Sequence, residues 1–560
     1  MQKKRTLLSL CLLSMGFGAF VMKAVDDRAI TAAVVKEAEK LLGLEFTAAE
    51  ADSMRGELLS KRQSYERMRK VELSNDVAPA LYFNPLPPNF VFESQTLPFK
   101  VAPAGKVKLP DNRDELAWYS VRELAELLRS RQLTSVELTR FFLERLKKYD
   151  VHLHCVVTLT ETLALQQAAQ ADAEIKAGKY RGLLHGIPYG AKDLLAQKGY
   201  PTTWGSTAYK DQQFAYTATV IERLEKAGAV LCAKLTLGEL AMGDVWFGGK
   251  TRNPWNLNRG SSGSSAGSAS AVAAGLLPFA IGSETLGSIV SPSSECGTTG
   301  LRPSFGRVPR TGAMTLSWSM DKLGPLARTV EDCAIVFNAI QGPDQKDYTI
   351  MKAPFNYDGT QTSLKGLKIG YLPTAFDRNY PTKTQDSLTL ATLRSLGAEL
   401  VPMQLPEYPV SDMALLLTVE GASAFDDLTT SNRDDLLVQQ HKNAWPNYFR
   451  ASRFVPAVEY LRANRLRTKL IAAMQEKIKG LDVYLTPAFG NPNLTLTNLT
   501  GHPCVVLPNG FRSEQGVQRP TSITFMGSLF GEAKLLQVAK AYQQATNWHR
   551  QHPKLSYNHD

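Results

Sequence analysis

The sequence contains few residues that bind metals or form disulfides. Its 560 residues include 6 cysteines and 8 histidines. Five cysteines follow Cys11 at wide, irregular spacing and in mostly apolar surroundings: Cys155, Cys232, Cys296, Cys333 and Cys504. An odd number at such spacing is not a disulfide framework, so the sequence predicts buried free thiols. The histidines have no spacing typical of zinc ligands, and we expect neither a metal nor another cofactor.

The main part of the sequence also lacks a concentrated block of positive charge. Lys and Arg number 64 against 53 Asp and Glu, giving a net charge of +11, but the basic residues are spread along the chain. Proteins that bind nucleic acids concentrate such charge in a stripe or in a recognisable reader motif. The composition therefore indicates an ordinary solvated surface, and we expect no nucleic-acid partner.

One apolar run lies at the N-terminus. Three basic residues at 3–5 precede residues 7–22, which are interrupted only by serines and glycines, and an acidic pair follows at 26–27. This order is typical of a secretory signal, and the run is short for a membrane-spanning helix. We assign residues 1–25 to a signal peptide or membrane anchor and expect an exported protein, periplasmic or membrane-anchored. A buried N-terminal helix is the alternative.

Two further segments precede the main domain. Residues 28–73 have helical periodicity, and their charged run at 61–70 indicates a solvated face. Residues 78–110 contain many prolines, which exclude a long helix and predict a strap or linker. We therefore place a helical arm and linker at 26–110 and the main domain at 111–550.

Helix and strand patterns alternate through the main domain. Capping boxes, in which a hydroxyl residue is followed three residues later by Glu, begin at Ser120, Thr134 and Thr219. Runs typical of strands occur at 229–232, 276–281, 366–371, 399–403 and 483–486. This alternation predicts an α/β fold, a layered α/β/α domain in which helices cover a sheet, with an N-terminal helical extension.

Two clusters of serine and glycine lie at 259–292. The first, at 260–267, has too little side chain to form a core and leads into a predicted helix. A predicted strand follows, and then a tight turn at 282–288 that carries a serine near its end. The pattern brings two serines to the mouth of one fold. A glycine- and proline-rich stretch at 182–192 ends in a lysine, which we expect on a loop rather than in the core.

These segments resemble the amidase signature family of serine hydrolases. In that family a glycine- and serine-rich loop supplies a bridging serine, here Ser264, and a G-S-I segment supplies the nucleophile 24 residues later, here Ser288. The motif H-G-I-P-x-x-x-K-D appears as HGIPYGAKD and contributes Lys192. Similarity extends over roughly residues 116–546, and the motifs are closest in style to peptide amidase-like bacterial enzymes. The resemblance implies a large mixed β-sheet covered by helices.

The resemblance also implies a catalytic mechanism. Ser288 would attack an amide carbonyl, Ser264 would bridge, and Lys192 would act as the base of a Ser-Ser-Lys triad. Lys192 must be neutral to accept a proton, so its pKa must lie far below the usual value of about 10.4. Backbone N–H groups of the turn before and at the nucleophile would form the oxyanion hole: Thr285, Leu286, Gly287 and Ser288.

The predicted oxyanion turn departs from common forms of the family. Many members read D-T-G-G-S-I-R, and a branch that includes peptide amidases reads more like E-T-D-G-S-I. This chain reads ETLGSIV at 284–290, so Leu286 and Val290 are unusual. If Leu286 had a positive φ, its side chain would be strained and the oxyanion hole would be less efficient.

Other residues in the sequence have competing interpretations. We interpret Ser265, next to the bridging serine, as loop structure. The segment Ser319–Lys322 fits the S-x-x-K motif of penicillin-recognising enzymes, but no S-D-N or K-T-G follows it, so we interpret the match as coincidence. Three tryptophans are candidates for lining the substrate pocket, with simple packing as the alternative: Trp204, Trp246 and Trp318.

The main functional hypothesis is an exported amidase that acts on a small-molecule or peptide amide. One alternative is the A-type subunit of a tRNA-dependent amidotransferase, which shares these motifs, although the signal-like N-terminus argues against it. A non-catalytic binding protein on the same fold is the other. Only the two unusual residues of the turn support it, and the intact triad argues against it. The identity of the amide and the oligomeric state stay open.

Overall fold

A computed structural model describes residues 29–68, 70–71, 74–77 and 79–555 of the chain. The predicted signal segment at 1–25 lies outside these residues. The chain divides into two compact units: one ends at Ser74 and includes Phe454–Pro456, and the other comprises Asn75–Arg453 and the residues from Ala457 onward. In the described ranges, no helix combines the length and the apolar character needed to cross a membrane.

The smaller unit is helical, which confirms the predicted N-terminal extension. Its helices are α1 (Ala32–Leu42), α2 (Ala48–Ser53) and α3 (Arg55–Met68). Local signals in the sequence fix their ends. Thr47 and Glu50 form a capping box at the start of α2, and Gly43 ends α1 in the left-handed conformation.

The larger unit is built on one large sheet and two short hairpins. Its strands are β1 (Val156–Leu159), β2 (Pro188–Lys192), β3 (Val230–Leu235), β4 (Val245–Trp246), β5 (Gly249–Lys250), β6 (Arg252–Asn253), β7 (Asn256–Gly260), β8 (Phe279–Glu284), β9 (Thr299–Arg302), β10 (Lys322–Ala327), β11 (Lys368–Tyr371), β12 (Glu399–Pro402), β13 (Val483–Pro487), β14 (Cys504–Glu514) and β15 (Val517–Gly527). Eleven of them form the sheet in the order β1-β3-β2-β8-β10-β9-β14-β15-β13-β11-β12.

The large sheet is mixed, and helices cover it. Strand β2 pairs in parallel with β3 and β8, whereas β10 pairs antiparallel with β8 and β9. Every residue of β2, β3, β8 and β10 is buried, so both faces of the centre of the sheet are covered. This architecture confirms the predicted α/β class.

The covering elements of the larger unit are distributed along the chain. Its α-helices are α4 (Val121–Arg129), α5 (Ser135–Leu153), α6 (Glu161–Lys176), α7 (Thr219–Lys226), α8 (Ala266–Ala273), α9 (Val290–Cys296), α10 (Val330–Ile340), α11 (Pro373–Phe376), α12 (Lys383–Ser395), α13 (Val410–Met413), α14 (Leu415–Ala424), α15 (Asp426–Thr430), α16 (Trp445–Ser452), α17 (Ala457–Ile478), α18 (Asn493–Thr500) and α19 (Glu532–Thr546). Short 3-10 turns lie at Arg113–Trp118, Thr207–Tyr209, Glu239–Ala241, Arg433–Leu436 and Trp548–Arg550.

Several sequence predictions match these elements. The strands predicted at 229–232, 366–371, 399–403 and 483–486 correspond to β3, β11, β12 and β13. The capping boxes at Ser120 and Thr134 form as predicted and begin α4 and α5. The five cysteines after Cys11 are buried free thiols, as the sequence predicts.

Other predictions were wrong in their boundaries or type. The stretch ending at Lys192 is not a loop, because its last five residues form the buried central strand β2. The strand predicted at 276–281 begins later, as β8, and runs to Glu284. At the start of α7 no side chain caps the helix, and the hydroxyl of Thr219 donates instead to Asp344.

The topology brings chemically important residues to one edge of the sheet. Lys192 ends β2 and Glu284 ends β8, and because these strands are parallel, both residues lie at their carboxyl ends. Lys322 begins the antiparallel strand β10 directly opposite Glu284. In open α/β sheets this edge is where binding sites usually form.

Helix α8 lies very close to β3, and this contact requires a glycine. A Cβ at Gly267 would lie 2.3 Å from the carbonyl oxygen of Cys155 and 2.5 Å from the backbone nitrogen of Thr236. We predict that Gly267→Ala lowers the free energy of unfolding by about 1–3 kcal/mol, because the helix must move off the sheet. Scanning calorimetry checks this as a lower melting temperature.

The matched control for this substitution is Gly56→Ala in α3. Gly56 has no atom within 4 Å of an added Cβ and lies in the first turn of the helix. Alanine should therefore be neutral or stabilising there, by up to about 1 kcal/mol. Equal melting temperatures for Gly267→Ala and the parent would contradict the proposed steric role of Gly267.

Candidate active site

The centre of the site is the amine of Lys192, which is completely buried at the end of β2. Its Nζ lies 2.8 Å from Ser264 Oγ, 3.1 Å from Ser265 Oγ and 2.9 Å from Ser283 Oγ. These three neighbours are hydroxyl groups, and the carbonyl oxygen of Ser283 lies farther away, at 3.5 Å. Burial lowers the pKa of Lys192 well below its usual value, although the more distant charges of Asp321 and Glu284 act in the opposite direction.

The hydrogen bonds around Lys192 fit a neutral amine. Ser265 Oγ donates its proton to the carbonyl oxygen of Ser283 and accepts the N–H of Ser283, so it can only accept from Lys192. Two N–H groups of a neutral amine can then point to Ser265 and Ser283. Its lone pair is left for the hydroxyl proton of Ser264. This is the arrangement that a general base requires.

The loop that carries Ser264 is fixed by close backbone contacts. The peptide bond between Gly263 and Ser264 is cis. A Cβ at Gly263 would lie 1.7 Å from the carbonyl oxygen of Gly243, so only glycine fits there. On the other side of the loop, the N–H of Ser262 donates to Asp244 at 3.1 Å. These contacts hold Ser264 beside the lysine amine.

The turn that carries Ser288 is held by Glu284. One carboxylate oxygen of Glu284 accepts the N–H groups of Ile289 at 2.8 Å and Val290 at 2.9 Å. The carbonyl oxygen of Ser288 accepts the N–H of Ser265 at 3.1 Å, which joins this turn to the loop of the other serines. Ser288 is 8% exposed, so its side chain lies just below the surface.

Glu284 is itself held by a buried polar network. Arg302 donates to it at 2.7 Å and Asn498 at 2.8 Å, and Asn498 also accepts from Lys322 at 2.7 Å. Burial alone would raise the pKa of Glu284, but the charges of Arg302 and Lys322 outweigh this and hold it at about 2. The carboxylate therefore stays ionised and keeps accepting the N–H groups of the nucleophile turn. Sequence analysis did not identify Arg302 or Asn498.

A second buried carboxylate, Asp321, supports the start of the turn. It accepts the hydroxyl of Thr285 at 2.6 Å and the N–H groups of Leu316 at 2.8 Å and Ser317 at 3.0 Å. Burial raises its pKa above the usual value. Asp321 thus connects the turn to the segment at 315–317, a connection that the sequence did not reveal.

The predicted oxyanion-hole residues lie together between β8 and α9. The N–H groups of Leu286, Gly287 and Ser288 have no hydrogen-bond acceptor among the residues that the structure describes. The left-handed residue of the turn is Gly287, with φ of 93°, and not Leu286. The strain considered for Leu286 is therefore absent. Free N–H groups at this turn can stabilise an oxyanion.

The two unusual residues of the turn contribute to a second hydrophobic core. Val290 is fully buried in a cluster with Met320, Leu496 and Tyr484, and Leu286 packs against the same cluster. These side chains face apolar neighbours, so their departure from the family forms has a packing explanation.

The remaining candidate residues lie in different surroundings. The hydroxyl of Ser319 is occupied, since it donates to Glu420 at 2.7 Å and accepts from Arg467 at 2.8 Å. Ser265, interpreted from the sequence as loop structure, lies in the loop directly before α8, and its hydroxyl also contacts Lys192 at 3.1 Å. Three tryptophans have buried indole N–H groups without a partner among the described residues: Trp204, Trp246 and Trp318. Within the same described part, no group of His, Cys, Asp or Glu could hold a metal ion.

The family model for amidases matches residues 137–506, which include all of the residues around Lys192, Ser264 and Ser288. The chain belongs to the amidase signature family. Its architecture agrees with that of solved family members. A peptide amidase from Stenotrophomonas maltophilia superposes with a TM-score of 0.71 at 30% identity, covering 78% of this chain and 99% of that one. An amidase family protein from Bacillus anthracis gives 0.70 at 28% identity, covering 79% and 93%.

Curated relatives of this family member include amidotransferase subunits. A glutamyl-tRNA(Gln) amidotransferase subunit from Coxiella burnetii is 35% identical over 484 residues, which is 78% of this chain and 99% of the relative. The corresponding protein of a Marinomonas species is 34% identical with the same coverage. The chain is therefore similar both to amidases and to amidotransferase subunits.

The first prediction from the site concerns the protonation of Lys192. Protonated Lys192 cannot accept a proton, so the acylation rate should rise with pH and level off above an apparent pKa well below the usual value of about 10.4. Lys192→Arg should be nearly as inactive as Lys192→Ala, because guanidinium stays protonated. Both should lose activity by a factor of about 10² or more. Rates of labelling by a fluorophosphonate measure this across pH.

One result would show that Lys192 is not the base. If Lys192→Arg kept most of the parent activity with an unchanged pH profile, Lys192 would act only through its charge or its packing. Circular dichroism of each variant serves as the control for folding.

The second prediction concerns Ser265 as a positioning residue. Ser265→Ala removes an acceptor for the amine of Lys192, so the rate should fall by about tenfold or more through misorientation. The apparent pKa of Lys192 should fall further, because the ammonium form depends on acceptors more than the amine does. Both values come from the pH dependence of the acylation rate.

The matched control is Ser268→Ala on α8. Its hydroxyl is buried as well, but it donates to the carbonyl oxygen of Ile281 at 3.1 Å, away from the amine. Ser268→Ala removes this one buried hydrogen bond, worth about 1 kcal/mol of stability, whereas Ser265→Ala also removes the two bonds between the Ser265 hydroxyl and the backbone of Ser283. If both variants lost activity equally and kept the parent pH profile, the contact of Ser265 with the lysine would be structural only.

Proposed function

We propose that this chain hydrolyses a carboxylic amide to an acid and ammonia or an amine, through an acyl-enzyme on Ser288. Lys192 is the base and Ser264 is the bridge. The observation that supports this most directly is the distance of 2.8 Å between Nζ of Lys192 and Oγ of Ser264, inside a fully buried pocket whose desolvation favours the neutral amine. A serine hydroxyl needs such a base because it is almost fully protonated at neutral pH.

In both half-reactions the proton moves between the reacting atoms and Lys192 through Ser264. As Ser288 Oγ bonds to the carbonyl carbon, its proton passes to Ser264, whose own proton passes to Lys192. Collapse of the tetrahedral intermediate breaks the C–N bond, and the proton returns through Ser264 to the leaving nitrogen. Water then attacks the ester with the same base, and Ser288 is restored as the acid leaves.

The reaction also requires stabilisation of the oxyanion, and the free N–H groups at 286–288 support this step of the proposal. The developing oxyanion needs donors that are already oriented, and each is worth about 3 kcal/mol. Glu284 contributes indirectly. Because its carboxylate accepts the two N–H groups just after Ser288, the turn is held in one conformation before the substrate arrives.

A second candidate function is that of an amidotransferase subunit. The curated relatives favour it, since 99% of the Coxiella burnetii protein aligns at 35% identity. In that case the amide would be a glutamine side chain and a tRNA would take part, whereas the sequence predicted no nucleic-acid partner. Glu284, which matches the E-T-D-G-S-I form of peptide amidases, supports a stand-alone amidase instead. Both candidates use the same serine and lysine chemistry.

The expected export of the protein is a proposal that depends on residues 1–25. Their basic start and apolar run support a signal or an anchor. Cell fractionation tests it, since full-length protein found only in the cytosol would contradict export. A non-catalytic role is less well supported, because Leu286 and Val290, which suggested it, pack in a hydrophobic core.

The prediction from this proposal is selective labelling of Ser288. A fluorophosphonate should label the parent, whereas Ser288→Ala should give no labelling, since Ser288 is the nucleophile of the proposed reaction. Ser319→Ala should still be labelled, because the hydroxyl of Ser319 is occupied by Glu420 and Arg467. Intact-mass spectrometry counts the adducts. The reverse pattern would assign the reaction to the S-x-x-K segment.

A panel of primary amides separates the two candidate functions. A stand-alone amidase should release ammonia from peptide, aryl or aliphatic amides without any other protein. An amidotransferase component should act on glutamine, with activity that depends on partner proteins and tRNA. Ammonia release, measured for the parent and for Ser288→Ala, distinguishes enzymatic turnover from background hydrolysis.

A further inference from the structure

A short segment before the matched family region lies against the main domain. We refer to residues 75–77 and 79–83 as the wall segment. It precedes residues 137–506, which match the family model, so it is an addition to the core of the family. Most of it is extended rather than helical. Its role therefore has to be inferred from its contacts.

The wall segment is attached at both ends. At one end, the side chain of Asn75 donates to the carbonyl oxygen of Thr315 at 2.9 Å and accepts the N–H of Thr315 at 2.6 Å. At the other end, the ring of Phe83 lies 5.0 Å from the ring of Phe305 and has the guanidinium of Arg467 at 3.4 Å. Two attachments of this kind hold the residues between them in one path.

Between these attachments the segment borders a cavity of about 290 Å³. Wall residues contribute Leu81, Tyr82 and Phe83, and the main domain contributes Trp318 and Tyr348 from the opposite side. The rings of Tyr82 and Tyr348 lie 6.2 Å apart. The lining is therefore rich in aromatic rings, and the wall segment supplies part of it.

This cavity adjoins the catalytic groups. A smaller cavity, of about 10 Å³, shares Arg310, Ala313 and Thr315 with it and reaches Ser283 and Thr285. Ser283 contacts the amine of Lys192, and Thr285 begins the oxyanion turn. The aromatic cavity is thus separated from the neighbours of Lys192 only by the residues that the two cavities share.

The arginine that lines the cavity is already paired. Arg310 donates to Asp347 at 3.1 Å, to the carbonyl oxygen of Trp318 at 2.7 Å and to Thr349 at 2.9 Å. It is therefore not free to bind a carboxylate. The other charged lining residues, Asp76 and Lys346, have opposite signs. A charged acyl group gains little in this cavity, and rings that stack on an uncharged group gain more.

We propose that the wall segment forms one side of the acyl-binding pocket and that the chain prefers amides whose acyl group ends in an aromatic ring. This inference rests on the proposed amidase function. It also disfavours glutamine as the preferred substrate, because the lining is rich in aromatic rings and the guanidinium of Arg310 is already bound to Asp347. The buried indole N–H of Trp318 is a donor for a polar atom of the acyl group.

The experiment compares binding of two amides by variants that cannot turn them over. In a Ser288→Ala background, the affinities for 3-phenylpropanamide and propanamide are measured by equilibrium dialysis, with and without Tyr82→Ala. Tyr82 is 53% exposed, so its removal should not unfold the chain. Loss of its ring should weaken binding of the aryl amide by about fivefold, the value of one aromatic contact. Binding of propanamide should change by less than about twofold.

The matched control is Val91→Ala, a residue 85% exposed in the same extended stretch that is not part of the cavity lining. It should leave both affinities at the parent values. A second variant, Asn75→Ala, removes the attachment to Thr315 and should weaken binding of the aryl amide in the same direction as Tyr82→Ala. Agreement between the two variants, with Val91→Ala unchanged, supports the proposal.

The results separate this inference from the proposed function. An unchanged ratio of the two affinities in both Tyr82→Ala and Asn75→Ala would overturn the role of the wall segment, even if the parent hydrolysed amides. If the parent hydrolysed none of the amides and yet Tyr82→Ala weakened binding of the aryl amide, the proposed function would fail. The pocket assignment would stand.

Discussion

The desolvation of one amine is the constraint on which this structure depends. An ammonium group buried without a carboxylate costs several kcal/mol, so the neutral form of Lys192 is favoured in its pocket. That form is useful only if its lone pair faces a hydroxyl. Three serine hydroxyls surround Nζ at 2.8 to 3.1 Å, so a neutral amine can donate to two of them and keep its lone pair for the hydroxyl proton of Ser264. The glycine-rich loop and the parallel strands hold these partners in place.

A neighbouring lysine illustrates how the fold distinguishes a base from a structural cation. Lys234, on β3 beside β2, is also completely buried, but it lies 2.5 Å from Asp193, the residue immediately after Lys192. In a buried pair of opposite charges, mutual attraction and hydrogen bonds offset the cost of desolvation. Lys192 has hydroxyl groups where Lys234 has a carboxylate. The group next to the amine, hydroxyl or carboxylate, therefore distinguishes the candidate base Lys192 from the ion-paired Lys234.

The sequence predicted the helix and strand alternation, because this depends on local patterns. Motif spacing proposed Lys192, Ser264 and Ser288, and the structure places Nζ of Lys192 2.8 Å from Oγ of Ser264. The sequence prediction mistook β2 for a loop, since glycine and proline favour turns locally, whereas pairing with β3 and β8 on both sides overrides that preference. Glu284 binds Arg302 and Asn498, which lie 18 and 214 residues away, so no local pattern identifies them. The concern about Leu286 disappears because the left-handed conformation falls one residue later, on Gly287.

The chemistry explains why the residues proposed for the reaction and the residues that select the amide lie in different parts of the structure. Any amide requires the same base, bridge and oxyanion donors, so the groups at the edge of the sheet have little freedom to differ between amidases and amidotransferase subunits. Discrimination between amides has to arise where the acyl group meets residues outside that set. The segment at 315–317 lies between the two regions, because it binds Asp321 on one side and Asn75 on the other. Peripheral additions can therefore change substrate preference without disturbing the buried amine.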